Sequence, residues 1–148
     1  MKVVLQRVNH AKVSINGKIH GQINRGYMLL VGVEDTDGQD EIDYLVHKIS
    51  KIRIFEDDRG KMNNNLSSVN GSILSISQFT LYANTAKGNR PSFFNAGKPD
   101  HAKKIYDQFN HALENDGIHV ATGVFGADMQ VELENDGPVT IIFDTDNK

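Results

Sequence analysis

Two periodicities divide this chain. Val3-Val4-Leu5 opens a first strand, and residues 11–15 and 18–23 read as a pair of strands around Asn16-Gly17. That dipeptide accepts positive φ at both central positions of a two-residue hairpin turn. Residues 27–33 form a further strand, whose unbroken Met28-Leu29-Leu30-Val31 run suits a strand covered on both faces or a buried helical segment. Over 40–51 the period changes. Ile42, Leu45, Val46 and Ile49 fall at i, i+3, i+4 and i+7, the stripe of an amphipathic helix.

Residues 52–55 return to a short strand, Asp57-Asp58-Arg59-Gly60 marks a turn, and 62–71 is a polar loop rich in Asn and Ser. A strand is predicted over 72–82. Pro99 then suits the first turn of a second helix, with Ala102, Ile105, Tyr106, Phe109, Ala112 and Leu113 on one stripe and Gly117 as its stop. Residues 118–124, 129–134 and 139–143 add three strands, and 144–148 reads as a loose tail. Many strands with two inserted helices predict an α+β fold: a curled, barrel-like, mainly antiparallel sheet rather than a regularly alternating parallel one.

With 148 residues and no repeat or compositional break, the chain is expected to form one domain over 1–148. That length buries roughly two-thirds of the surface an unfolded chain exposes. The absence of cysteine removes disulfides, thiolate nucleophiles and sulfur-ligated zinc, and fits a cytosolic address. Met1-Lys2-Val3-Val4-Leu5-Gln6-Arg7 is too briefly apolar for a signal peptide, and no run approaches the length needed to cross a bilayer; a soluble protein is expected. A formal net charge of −3 argues against general electrostatic coating of nucleic acid. Locally, however, Lys87, Arg90, Lys98, Lys103 and Lys104 stand against Asp100 alone. This basic sector, with Phe93 and Phe94 inside it, suits a single-stranded RNA end, and reads equally as a solvated loop followed by a charged helix face.

The six histidines form no His-Glu-x-x-His pair or other short metal motif, so no metal or cofactor is expected. Gly-x-Ser-x-Gly is absent, no His or Asp is tied by motif to Ser77, and Lys87-Gly88-Asn89-Arg90 lacks the spaced glycines of a phosphate-cradling loop. Two other segments carry candidate chemistry. In Ser75-Ile76-Ser77-Gln78-Phe79-Thr80-Leu81-Tyr82 a period of two mixes polar and apolar residues on both faces. Such mixing suggests a pocket wall, or a half-exposed strand with cross-strand Ser and Thr pairs. Asn135-Asp136-Gly137-Pro138-Val139-Thr140 stands between two strand-like runs. Pro138 has no N–H to give a ladder, and Gly137 takes angles closed to other residues. The pair reads as a backbone corner that offers carbonyl and amide groups to a ligand, or as an ordinary hairpin turn.

Ser77-Gln78-Phe79-Thr80, Lys87-Gly88-Asn89-Arg90-Pro91-Ser92-Phe93, Phe125-Gly126-Ala127-Asp128-Met129 and Gly137-Pro138 occur in an order and at spacings that resemble the D-aminoacyl-tRNA deacylase family. The resemblance begins at Met1-Lys2-Val3-Val4-Leu5-Gln6-Arg7-Val8, includes Gly26–Gly32 and runs past Thr140. It implies a cytoplasmic, homodimeric, cofactor-free hydrolase that cleaves the ester joining a D-amino acid, and glycine, to tRNA.

The same resemblance assigns roles. Ser77 and Gln78 orient the substrate, or merely satisfy neighbouring backbone. Amide donors near Phe79 stabilise the oxyanion while water attacks, assisted by the terminal ribose hydroxyl. Thr80 as a nucleophile ranks second, because no adjacent base is identifiable. Gly137-Pro138, with its peptide cis, reaches from the partner subunit and excludes an L side chain by clash. Phe125, Gly126, Ala127 and Met129 border the terminal adenosine or pack in the core. Lys87 and Arg90 hold the acceptor end, and Arg7 braces the corner or is an ordinary strand arginine. The competing class is a non-catalytic RNA-binding module.

Overall fold

The structure is a computed structural model describing residues 1–148. Along the chain run β1 (Lys2–Ile15), β2 (Lys18–Ile23), β3 (Gly26–Gly32), α1 (Gln39–Lys51), β4 (Phe55–Glu56) and β5 (Met62–Asn64). These are followed by β6 (Ser72–Ser77), α2 (Pro99–Asn115), β7 (Val120–Thr122) and β8 (Gln130–Asp144). Asn16 and Gly17 take φ of 50° and 77°, the turn that folds β2 back on β1 with Ile15 opposite Lys18. β3 then continues along the same edge of β1, while β8 occupies the other edge antiparallel.

β6 joins β3 in parallel and β7 joins β6 in parallel, so the sheet is mixed. Parallel neighbours need a long crossover, and α1 and α2 lie in the two connections that supply it. Both helices bury their predicted stripes on one face of the sheet. Ile42, Leu45 and Ile49 of α1 and Ile105, Tyr106 and Phe109 of α2 pack in one cluster with Val3, Leu5, Leu29, Val31 and Ile73. On the other face Val8, Val13, Ile23, Met28, Leu74 and Ile76 fill the inside of the curl. His20 Nδ1, 2.9 Å from the Thr122 carbonyl oxygen, brings β2 against β7 and nearly closes the barrel.

The strands predicted over 52–55 and 118–124 form only at Phe55–Glu56 and Val120–Thr122, and four further stretches differ from the sequence reading for long-range reasons. The 72–82 strand stops at Ser77; Gln78 N–H still bonds Val31 O, and Phe79–Tyr82 then winds into a 3-10 turn. The runs 129–134 and 139–143 are not hairpin arms. Both pair with β1, and Gly137-Pro138 lies in a bulge between the pairs Val8–Asn135 and Gln6–Thr140. Within the predicted polar loop, Leu66 is buried beside β5 and a short helical turn. Nor is 144–148 loose throughout. Thr145 is buried, its N–H bonds Met1 O at 3.0 Å, and its hydroxyl accepts from the Met1 α-amino group at 2.6 Å.

Candidate active site

Because β7 ends at Thr122, opposite Ser75, the last residues of β6 have no strand on that side. The space is a cleft of about 740 Å³. Ser77, Gln78 and Phe79 form one wall; Phe125, Gly126, Ala127 and Met129 form the other. The second wall keeps its shape through a turn in which Ala127 N–H donates to Val124 O at 3.1 Å, with Gly126 at φ 77°. Tyr106 lies beneath, its ring 6.0 Å from that of Phe125. Phe93 and Lys98 stand at the rim.

Gln78 Nε2 donates to Thr80 Oγ1 at 2.5 Å. The threonine hydroxyl is thereby held as an acceptor, and no base contacts it. Phe79 is 58% exposed, an uncommon fate for a phenylalanine, and meets Phe93 edge-on with centroids 5.0 Å apart. Leu81 N–H bonds Gln78 O, so the N–H groups of Phe79 and Thr80 open the helical turn and have no partner within it. Two unpaired amides beside an apolar, aromatic-lined cleft suit an oxygen that acquires negative charge. Lys98 and Asp128 are the charged side chains of the lining. No group of three His, Asp or Glu side chains converges as a metal site.

The Gly137-Pro138 corner lies elsewhere on the same chain. Its peptide is cis, both residues are exposed, and neither lines the cleft. It is held from both sides. Asn135 Oδ1 accepts from Val139 N–H at 2.8 Å, and the buried Arg7 donates through Nε to Asp136 O at 3.0 Å and through Nη1 to Ile54 O at 2.5 Å. Arg7 is therefore a brace for the bulge rather than an ordinary surface arginine.

The structure thus brings Ser77, Gln78, Phe79, Phe125, Gly126, Ala127 and Met129 into one cleft, with Thr80 attached through Gln78. It does not bring Gly137 or Pro138 there. Lys87 and Arg90 are also outside, exposed on a loop closed at its base by paired Asn84–Ser92 backbone bonds of 2.7 and 2.9 Å. Sequence reading did not place Tyr106 at the site, and it gave Lys98 only as part of the basic sector. Tyr106 lay on an apolar helical stripe, where it resembles any core residue.

Residues 4–144 match the family model described as D-Tyr-tRNA(Tyr) deacylase. The chain is 58% identical over 144 residues to the D-aminoacyl-tRNA deacylase of Lactobacillus acidophilus, covering 97% of this chain and 99% of that one. It is 54% identical over 155 residues to that of Bifidobacterium adolescentis, covering 99% and 98%. Among solved structures it is similar to a c-Myc DNA Unwinding Element Binding Protein, with a TM-score of 0.92, 38% identity and coverage of 98% and 99%. A probable eukaryotic D-amino acid tRNA deacylase shares the fold, with a TM-score of 0.81 at 20% identity over 96% and 97% of the two chains. With a family match over nearly its full length and curated relatives above half identity, this chain belongs to the D-aminoacyl-tRNA deacylase family.

Proposed function

We propose that the chain removes D-amino acids, and glycine, from tRNA by letting water attack the ester carbonyl in the cleft beside Ser77, Gln78 and Phe79. The observation that carries this reading is the wall itself: two unpartnered amides and an exposed aromatic, with no acid or base in contact with Thr80. An aminoacyl ester is already activated. Preorganised donors at the developing oxyanion, with the terminal ribose hydroxyl helping to position water, supply the remaining stabilisation. Free amino acid released from D-aminoacyl-tRNA by the purified protein tests the proposal. Binding without release would instead make the chain a non-catalytic RNA-binding module.

Chiral selection is assigned to the Gly137-Pro138 corner of a partner subunit in a homodimer. Two features support this. The corner is exposed and outside the lining of its own cleft, and β8, which carries it, pairs only with β1, leaving its outer edge available to a second copy. Backbone atoms at the cleft mouth reject an L side chain by clash and admit the opposite projection of a D substituent or the hydrogen of glycine. Phe125, Gly126, Ala127 and Met129 then border the terminal adenosine. The enzyme acts in the cytoplasm, where charged tRNA is used. No helix is long and apolar enough to cross a membrane.

Thr80→Val is expected to retain deacylation within about tenfold of the unmodified protein, since it removes one hydrogen bond and no reacting group. A trapped acyl-Thr80 adduct in mass spectrometry, with turnover abolished in the variant, would contradict that. Lys87 and Arg90 are assigned to phosphates of the acceptor end. Lys87→Ala with Arg90→Ala should weaken tRNA binding and flatten its salt dependence by about one to two units of slope, the counterions two contacts release. An unchanged affinity and slope removes this loop from the interface.

A further inference from the structure

Tyr106 is 3% exposed, and the cost of burying its hydroxyl that deeply is offset by an acceptor. The phenol donates to Ser75 O at 2.7 Å. The position of that carbonyl is informative. Along β6 the peptide groups alternate between edges; Ile73 N–H bonds His119 O on the β7 side, and Gln78 N–H bonds Val31 O on the β3 side. Ser75 and Ser77, spaced by two from Ile73, therefore turn their peptide groups toward β7. Ser75 is where β7 ends. Beyond it the edge is open, and the following chain swings away to build the opposite wall of the cleft.

We infer that Tyr106 is a positioning residue: its hydroxyl takes the place of the missing strand, anchors the open end of β6 at Ser75, and so holds the Ser77–Thr80 wall in its working geometry. The consequence for catalysis rests on the deacylase reading; the anchoring does not. Burial raises the Tyr106 pKa, so the phenol remains a donor throughout the neutral range. Tyr27 provides an internal control. It is also fully buried, stacks on Phe55 at 5.4 Å, and has a hydroxyl with no partner, so Tyr27→Phe deletes the same atom without deleting a bond.

The test compares Tyr106→Phe with Tyr27→Phe in the full-length protein by two readouts. One is hydrogen exchange at the Gln78 amide, which the bond to Val31 O protects. The other is kcat and KM for D-aminoacyl-tRNA. In Tyr106→Phe, exchange at Gln78 should accelerate and kcat should fall, each by roughly five- to tenfold, with KM within about twofold. Tyr27→Phe should change neither. Exchange and kcat equal to those of the unmodified protein in folded Tyr106→Phe overturn the inference, as does an equal loss in Tyr27→Phe. Accelerated exchange in Tyr106→Phe with no amino acid released by any form supports the anchor and rejects the deacylase reading instead.

Discussion

Gly137→Ala is expected to reduce hydrolysis of D-aminoacyl-tRNA by at least about a hundredfold, the scale of loss that a misplacement near 1 Å produces. Gly137 has φ 133°, a region that side-chain-bearing residues rarely enter. A Cβ built there lies 2.8 Å from Val139 Cγ2, 3.0 Å from Arg7 Nη2 and 3.1 Å from Val139 N. None of these yields easily. Val139 N–H is tied to Asn135, and the Arg7 guanidinium is buried between two backbone carbonyls. The corner must therefore shift as a unit, away from the position that the proposed role in a second subunit's site gives it.

Backbone strain of about 1–3 kcal/mol accompanies the change. At about 2–4 °C per kcal/mol for a chain of this size, the protein should still fold, with a melting temperature reduced by roughly 2–12 °C. A folded Gly137→Ala protein with undiminished D-aminoacyl-tRNA hydrolysis would remove the corner from the site.

The largest loss of stability is expected at Asp37. The α-amino group of Met1 is completely buried and donates to Asp37 Oδ1 at 2.5 Å, while Asp37 Oδ2 accepts Glu34 N–H at 2.8 Å. Side-chain exposure of Asp37 is 2%, so water does not screen the pair. Asp37→Asn leaves the ammonium without its counter-charge. Removing one member of a buried pair costs about 3–5 kcal/mol, because the remaining charge is stranded. The melting temperature should fall by roughly 6–20 °C, measured by calorimetry at neutral pH. A fall smaller than roughly 2 °C, the least that 1 kcal/mol produces in a chain of this size, would show that the pair contributes little. The pair also ties β8 to the start of β1 through Thr145, so exchange at the Thr145 amide should accelerate with the same substitution.

Elements whose periodicity is local and strong were readable from residue order. The stripes of α1 and α2 and the Asn16-Gly17 turn need only a window of several residues, and each occurs where the pattern puts it. Cleft residues were legible differently. Ser77, Gln78 and Phe79 stood out because their polarity fits neither face of an ordinary strand, and the structure puts them at a strand end that lacks a neighbour. What was not legible depends on partners far along the chain.

Asn135-Asp136-Gly137-Pro138 has the composition of a hairpin turn, yet it is a bulge because β1 pairs on both sides of it and Arg7 holds Asp136 from 129 positions away. Thr145 looks like a frayed end until Met1 is placed beside it. Phe79–Tyr82 continues a period of two, but its strand loses a partner and the chain winds up instead. Tyr106 differs from a core phenylalanine by one oxygen, whose acceptor lies in a strand 31 positions earlier.

Chiral discrimination is tested most directly by incubating the purified protein with D-tyrosyl-tRNA and L-tyrosyl-tRNA under matched conditions and following the release of each amino acid against buffer alone. A steric clash of about 3 kcal/mol between an L side chain and a backbone corner corresponds to a D-over-L ratio of at least about a hundredfold. The expected result is rapid release of D-tyrosine, with the L ester decaying no faster than in buffer. Equal release of the two enantiomers, or release of neither while tRNA remains bound, would contradict it.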